Sequence, residues 1–270
     1  MKKSLVLTGL IVIVLSVGCT HAPTPKPQTL LAEKDFWEDQ SIRKALTDRI
    51  SAKLRLTFNG KKKSVTGNGR MIWQAPRQLR LELRDPFGRL HYQVGVNGQS
   101  FIAHYPRQHV AYLEDQSGQI YINGILGLNF SFTELQQLLF GVLPGVGKGA
   151  SFKRWEWDSG EGLYRGEISL GAYTAIVWVD GENRGIRKME LGSAKGKVEA
   201  DYSLFETCCG GTQRKVWLGQ VAIFNLVDKK TGIEVEWKGI DSLASARPES
   251  IFKIALSKKD KKVDISRHGK

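Results

Sequence analysis

Residues 79–88 have the sequence LRLELRDPFG, which joins an amphipathic strand to a tight turn. Leu79, Leu81 and Leu83 alternate with charged residues, and this period of two predicts a β-strand with one apolar face. The following residues 85–88 contain a proline and a glycine, which favour a turn. Apolar alternation resumes at Leu90, so the stretch predicts an antiparallel hairpin.

The same alternation recurs along most of the chain. Leu54, Leu56 and Phe58 precede the hairpin, and Asn97-Gly98 is a strong turn signal after it. Further strands are predicted at residues 152–157, 164–170, 173–179, 186–191, 198–204, 215–224, 232–237 and 252–256. Residues 50–257 contain no apparent linker. The sequence therefore predicts a mainly β fold, built as one curved antiparallel sheet with an apolar face on the core.

Two segments have helical spacing instead. Residues 30–50 carry apolar positions at helical intervals. Ser131 and Glu134 have the spacing of a capping box, which predicts a helix that ends near Gly141. Its apolar face consists of Phe132, Leu135, Leu138 and Leu139. A short apolar helix within a large sheet is expected to lie on the concave side of that sheet.

The N-terminus has the pattern of a secretory signal. Lys2 and Lys3 precede an almost wholly apolar run at residues 5–17, which is too short to cross a bilayer comfortably. Residues 15–19, LSVGC, resemble a lipobox and predict cleavage before Cys19 with lipid on that cysteine. An ordinary signal peptide, or an uncleaved anchor with an incidental cysteine, is the alternative. Residues 1–18 are thus the expected signal peptide, and the proline-rich residues 19–30 a lipidated flexible tether.

Charge and cysteine usage limit the partners. The net charge of +13 suits anionic lipid or acidic protein, although solubility alone would also explain it. Nucleic acid is not an expected partner, because a signal peptide directs the chain out of the cytoplasm. Residues 258–270 are expected to be a basic, solvated tail. The adjacent Cys208 and Cys209 could form a disulfide or remain free thiols.

The order of these elements resembles the LolA/LolB superfamily, and most closely its LolB-like outer-membrane lipoproteins. Two motifs carry the resemblance. The turn at residues 85–88, DPFG, is similar to the family's Asn-Pro-Leu-Gly type turn. Residues 132–145, FTELQQLLFGVLPG, are similar to its helix that ends in a Gly-Leu-Pro-Gly type segment. The chain departs from the pattern in its greater length, in an apparent insertion at residues 206–214, and in Phe87, where the receptors carry Leu.

The resemblance implies a half-barrel domain over residues 31–257, an unclosed β-barrel with helices over its concave face. It implies an apolar cavity that receives the acyl chains of lipoproteins, and a lipid-anchored place at the outer membrane, facing the periplasm. A periplasmic carrier protein is an implied partner. The residues expected in the cavity or its helical lid are Leu81, Leu83, Tyr92, Phe101, Phe132, Leu135, Leu138 and Leu139. Phe87 is the expected membrane contact, or else a cap on the end of the barrel core.

Motifs for catalysis were not found. The sequence contains no zinc-protease helix motif, no nucleophile elbow and no complete phosphate-binding loop. His104 and His109 are close together, but no neighbouring Cys or carboxylate pattern completes a site. Glu114 and Asp115 are expected in a solvated loop. No enzyme activity, metal or cofactor is predicted.

Two functions follow from these patterns. The first is a carrier or outer-membrane receptor that binds a lipidated protein or another lipid in its half-barrel. The second is a structural or assembly lipoprotein that uses the same fold to bind a protein partner. Bound lipid in the purified protein would distinguish them.

Lipidation of Cys19 can be tested directly. We expect Cys19→Ser to abolish membrane association, because the acyl chains would be missing. Membrane fractionation and the mobility of the processed protein measure this, with Cys208→Ser as the matched control. A Cys19→Ser protein that fractionates and migrates like the wild type would show that the prediction is wrong.

Overall fold

The computed structural model describes residues 24–27, 30–59, 64–115, 118–126, 131–144, 150–170, 173–193, 196–208, 216–225 and 231–266. The expected signal peptide, Cys19 and Cys209 lie outside these ranges, as does the side chain of Cys208. Among the helices described, none has both the length and the apolar character needed to cross a membrane.

Strands dominate the described chain. The strands are β1 (Arg49–Asn59), β2 (Ser64–Gln74), β3 (Gln78–Arg84), β4 (Leu90–Asn97), β5 (Ser100–Tyr105), β6 (Val110–Glu114), β7 (Ser151–Asp158), β8 (Leu163–Leu170), β9 (Tyr173–Val179), β10 (Ile186–Ser193), β11 (Gly196–Cys208), β12 (Val216–Asn225), β13 (Gly232–Ser242) and β14 (Lys261–Asp264). The helices are α1 (Glu33–Thr47), α2 (Gln119–Leu126), α3 (Phe132–Leu139) and a short 3-10 helix (Glu249–Phe252).

All fourteen strands belong to one sheet, in the order β14-β6-β5-β4-β3-β2-β1-β13-β12-β11-β10-β9-β8-β7. The pairs are antiparallel except for β14, which runs parallel to β6. Strands β14 and β7 are the two edges, so the described sheet is not closed. The predicted mainly β fold with one large unclosed sheet is confirmed.

The inner face of this sheet, defined here as the face that packs on the helices, carries the alternating apolar residues. In β3, Leu79 and Leu83 are buried and Leu81 is partly buried. On the opposite face Arg80 and Glu82 form an ion pair with an N–O distance of 2.8 Å. The period of two seen in the sequence therefore assigned the two faces of this strand correctly.

Helix α3 begins as the capping box predicts. The Ser131 hydroxyl accepts a hydrogen bond from the Glu134 N–H, and the Glu134 carboxylate accepts one from the Ser131 N–H. Helix α1 is shorter than the predicted residues 30–50. Ile50 pairs with Trp73 of β2, so the last predicted helical residues belong to β1.

The sequence did not predict β2, because two of its inner positions are glycines. A Cβ on Gly69 would lie 2.6 Å from the Leu83 side chain and 2.5 Å from the Glu82 carbonyl oxygen. Because β3 passes so close, β2 has glycine at this position, where the period of two would place an apolar residue. Helix α2 and strand β6 were also missed.

A C-terminal strap, defined as residues 243–260, crosses the outer face of the sheet. Phe252 is buried, and its carbonyl oxygen would lie only 2.7 Å from a Cβ on Gly95 of β4. Arg80 donates a hydrogen bond to the Lys253 carbonyl at 2.9 Å. The predicted strand at residues 252–256 is wrong, because Phe252 and Ile254 alternate to contact the sheet from outside. The expected basic tail also differs, since residues 261–264 form β14.

The strap ends at a carboxylate held between two imidazoles. One oxygen of Asp260 lies 3.3 Å from His104 Nε2, and the other lies 3.3 Å from His109 Nδ1. Burial of the Asp260 carboxyl opposes its ionisation, but the Ser257 N–H and the two imidazoles outweigh burial and lower its pKa. The carboxylate absent near the histidines in sequence is thus supplied from far along the chain. Within the described residues, no group of His, Cys, Asp or Glu could hold a metal ion.

The lowered pKa predicts an acid-dependent strap. A depressed carboxyl pKa adds stability above the unfolded value of about 3.9, and that stability is lost as pH falls through the folded value. We therefore expect Asp260→Asn to melt at a lower temperature than wild type at pH 6, with the gap narrowing by pH 3. Thermal unfolding followed by circular dichroism measures this, with exposed Asp241→Asn as the control. A gap that stays constant over this range would contradict the assignment.

Candidate functional site: the inner face and its helical cover

The inner face carries buried apolar residues in every strand from β5 to β8 in the sheet order. Its buried residues include Ile50, Ala52, Leu54, Met71, Trp73, Leu79, Leu83, Val94, Val96, Phe101, Ala103, Val177, Met189, Ile223 and Val235. Because antiparallel neighbours align these positions in register, apolar side chains meet apolar side chains across the sheet. Helices α1 and α3 are placed over this surface.

Helix α3 and the residues after it cover two tryptophans. The Phe132 ring packs on Trp73 of β2 with ring centroids 4.6 Å apart, and the Phe140 ring stacks on Trp237 of β13 at 4.9 Å. Leu138, between these two contacts, is fully buried. The two strands flank β1, so the cover formed by residues 132–140 reaches from one side of β1 to the other.

Both of these tryptophans leave a polar atom unpaired. The indole nitrogens Trp73 Nε1 and Trp237 Nε1 are buried and have no hydrogen-bond acceptor among the described residues. A buried donor without an acceptor costs about 1–3 kcal/mol. The covered arrangement is therefore less stable than its apolar packing alone would make it.

Helix α1 holds the cover through buried polar contacts. The Gln40 side chain donates to the Gly141 carbonyl at 3.4 Å and accepts from the Leu143 N–H at 2.9 Å. Gln136 of α3 donates to the Thr47 carbonyl at the end of α1 at 3.1 Å. These hydrogen bonds give the cover a defined position that apolar contacts alone would not fix.

A buried arginine also lies on α1. Arg43 donates to the Arg184 carbonyl at 3.4 Å. Burial lowers its pKa to about 10, while the nearby Asp39 carboxylate opposes that decrease. Arg43 is thus still protonated at neutral pH. Its helical position gave no sign of burial, and only the fold reveals it.

The predicted cavity and lid residues do share this inner region. Leu83, Phe101, Phe132, Leu135 and Leu138 are buried, and Leu81, Tyr92 and Leu139 are partly buried. Their roles in lipid binding stay predictions.

A groove of about 310 Å³ lies elsewhere, lined by residues such as Arg55, Thr57 and Glu236 of β1 and β13. Arg55 and Thr57 alternate with the inward Leu54 and Leu56, so this groove is on the outer face and its polar lining does not suit an acyl chain.

A tyrosine cluster that the sequence did not indicate lies under α2. It consists of Tyr92 of β4, Tyr105 of β5, Tyr112 of β6 and Tyr121 of α2. The Tyr92 hydroxyl donates to the Tyr121 hydroxyl at 3.2 Å, and the hydroxyls of Tyr105 and Tyr121 are 2.9 Å apart. The period of two placed Tyr92 on the inner face, but the partner from α2 needed a helix that was not predicted.

Glu114 positions that helix, so its expected place in a solvated loop is wrong. It is only 4% exposed. Its two carboxylate oxygens accept the Ile120 and Tyr121 N–H groups at 2.9 and 3.1 Å. The first N–H groups of a helix have no acceptors within the helix, and the Glu114 carboxylate oxygens are the acceptors for two of them.

The turn between β3 and β4 presents a single exposed ring. Phe87 is 81% exposed, which contradicts a role as a cap on the barrel core. The Asp85 carboxylate accepts the Phe87 and Arg89 N–H groups at 2.9 and 3.0 Å, and Arg107 Nη1 lies 3.3 Å from it. The Arg89 guanidinium lies 5.2 Å from the Phe87 ring centroid. The tip therefore combines an exposed aromatic ring with basic side chains.

Part of the expected flexible tether contacts the sheet. The Thr24 N–H donates to the Ser159 carbonyl at 2.9 Å, in the turn between β7 and β8. Trp157 Nε1 donates to the Thr24 carbonyl at 3.3 Å, and Trp155 Nε1 donates to the Leu31 carbonyl at 3.0 Å. The indole donors of the edge strand β7 thus bind this segment, an effect that proline content alone did not predict.

Comparison with solved structures supports the fold. An outer membrane lipoprotein-sorting protein domain from Vibrio parahaemolyticus matches 80% of this chain and 95% of its own, at 11% identity and a TM-score of 0.52. A LolA superfamily protein from Nitrosomonas europaea matches 83% and 99%, at 10% identity and 0.51. A DUF1329 family protein from Desulfovibrio piger matches 82% and 96%, at 10% identity and 0.52.

No protein-family model matches the sequence, and no curated protein matches it. The likeness is therefore one of architecture, carried by the open sheet and its inner helices. The chain has the LolA/LolB-like fold that its sequence motifs predicted.

Proposed function

We propose that this protein is a lipid-anchored envelope protein whose half-barrel binds the acyl chains of lipoproteins or another lipid. It acts as a carrier or outer-membrane receptor in lipoprotein localisation. The solved relatives of this fold include a lipoprotein-sorting domain and a LolA superfamily protein. The proposal assigns the protein a binding role with no catalytic step.

The cover over the two tryptophans is the observation that carries this proposal. An eight-residue helix and the loop after it lie on an apolar sheet surface, and the arrangement leaves two indole N–H groups unpaired. An acyl chain that took the place of the cover would gain about 0.8 kcal/mol for each buried methylene. Displacement of the cover would therefore exchange one apolar occupant of the inner face for another.

Locking the cover tests whether lipid enters beneath it. Thr133 Oγ1 of α3 lies 3.3 Å from the Pro76 carbonyl, so residues 133 and 77 are within reach of a short cross-linker. We expect Thr133→Cys/Arg77→Cys, joined by a bismaleimide in a Cys208→Ser/Cys209→Ser background, to stay folded but fail to bind a fluorescent acyl probe. Probe titration and native mass spectrometry measure the loading.

The same variant before cross-linking, and after reaction with a monofunctional maleimide, is the matched control. Both forms should bind the probe as the wild type does. Normal binding by the cross-linked form would show that lipid does not enter under α3. If no form binds the probe and the purified protein carries no lipid, the acyl-binding function fails, and the alternative of a protein-binding assembly lipoprotein remains.

Phe87 is proposed to enter the lipid interface during transfer. Its exposed ring and the neighbouring Arg89 match an anionic bilayer surface, which favours aromatic rings and basic groups. We expect Phe87→Glu to change the free energy of unfolding by no more than about 0.5 kcal/mol, as is usual at exposed sites. Transfer of a fluorescent acyl lipid to anionic vesicles should become slower.

Leu30→Glu is the control, because Leu30 is the other large apolar side chain found exposed among the described residues. It introduces the same charge away from the tip. The unfolding measurement and the lipid-transfer measurement can both use a chain that begins at residue 20, which keeps every described residue. Loss of more than about 2 kcal/mol of stability, typical for a buried aromatic, would contradict the membrane role of Phe87. So would an unchanged transfer rate.

A further inference from the structure

The tyrosine cluster under α2 has the chemistry of a ligand site. We propose that the hydroxyls of Tyr92, Tyr105 and Tyr121 bind a neutral carbonyl oxygen, the ester or amide group at the head of an acyl chain. This inference rests on the proposed acyl binding and adds the polar contact that orients the chain. The Tyr112 ring packs beside these residues, and its hydroxyl lies outside the proposed contact.

The geometry brings the three hydroxyls together from three elements. Tyr121 lies in the centre, because its hydroxyl is 3.2 Å from that of Tyr92 and 2.9 Å from that of Tyr105. The rings of Tyr92 and Tyr105 pack with centroids 4.9 Å apart. Tyr92, Tyr105 and Tyr121 are each partly buried, so the cluster lies at the margin of the core.

Hydrogen-bond counting leaves a donor for the ligand. Three hydroxyls carry three protons, and the two hydrogen bonds between them use two. The proton of either Tyr105 or Tyr121 is left over, and no other acceptor for it is found within the described ranges. An incoming carbonyl oxygen would accept this proton without disturbing the two existing bonds.

The surroundings favour a neutral ligand head over a charged one. Burial raises the pKa values of Tyr92, Tyr105 and Tyr121, so all three phenols stay protonated donors at neutral pH. The Glu114 carboxylate, which accepts the Tyr121 N–H, lies next to the cluster, and a second carboxylate beside it would be unfavourable. Phe101 of β5 packs on the Tyr121 ring at 5.1 Å, so apolar surface for hydrocarbon begins beside the hydroxyls.

The test separates the carbonyl from the hydrocarbon. Three pyrene-labelled probes of equal chain length are titrated against the protein: a methyl ester, an alkane and a free fatty acid. We expect Tyr105→Phe/Tyr121→Phe to weaken ester binding about five- to tenfold, the usual loss for a hydrogen bond, and to leave alkane binding unchanged. Phenylalanine keeps both rings, so a purely structural role predicts equal changes for the two probes.

Tyr112→Phe is the matched control. Its ring lies 6.0 Å from that of Tyr105 and 6.3 Å from that of Tyr121, but its hydroxyl joins neither described hydrogen bond. This variant should bind the ester as the wild type does. Equal ester binding by the double variant and wild type would overturn the carbonyl site alone, and a wild-type preference for the free acid would overturn its assignment to a neutral group. A wild type that binds none of the probes would overturn the acyl-binding function as well.

Discussion

The packing of residues 132–140 against the inner face is the interaction on which the rest of this structure depends. A single open sheet has one apolar face and no second sheet to bury it against. Here α1, the eight-residue α3 and the loop after α3 bury that face. The buried polar contacts of Gln40 and Gln136 fix where this cover lies, and the aromatic pairs at Trp73 and Trp237 fix its two ends.

This arrangement differs from a β-sandwich in what covers the apolar face. In a sandwich, the covering layer is a second sheet whose strands are joined by backbone hydrogen bonds. Here the covering layer is a short helix and a loop, which side-chain packing and a few hydrogen bonds hold in place. The two unpaired indole donors beneath it are a local cost to stability. The same feature that completes the fold therefore leaves two polar atoms unpaired beneath it.

Much of this fold could be predicted from the sequence because most inner positions obey a period of two. The capping box of Ser131 and Glu134 likewise specified α3. Prediction failed where tertiary contacts replaced local pattern. Gly69 replaces an apolar residue because β3 passes too closely, and Phe252 and Ile254 alternate like a strand while they bind the sheet from outside.

In the candidate site too, local sequence pattern predicted some residues, and tertiary contacts alone placed the others. Leucines of β3 and α3 were found by spacing, but the tyrosine cluster joins residues 29 and 16 positions apart through a helix whose start depends on Glu114. Asp260 reaches His109 across 151 positions. Such contacts leave no periodic signal, so only the folded chain reveals them.

The contact of Thr24 with Ser159 has a consequence for how the domain stands on a bilayer. Four residues separate Cys19 from Thr24, so a lipid on Cys19 would keep the β7–β8 turn within about 18 Å of the membrane at full extension. Strand pairing places that turn and the Phe87 turn at opposite ends of the strands. Release of the segment as far as Leu31 would lengthen the reach to about 43 Å. With lipid on Cys19, the tether would then be long enough for an upright domain or for one tipped over with Phe87 on its own membrane. The contacts of Thr24 with Ser159 and Trp157 would decide between the two.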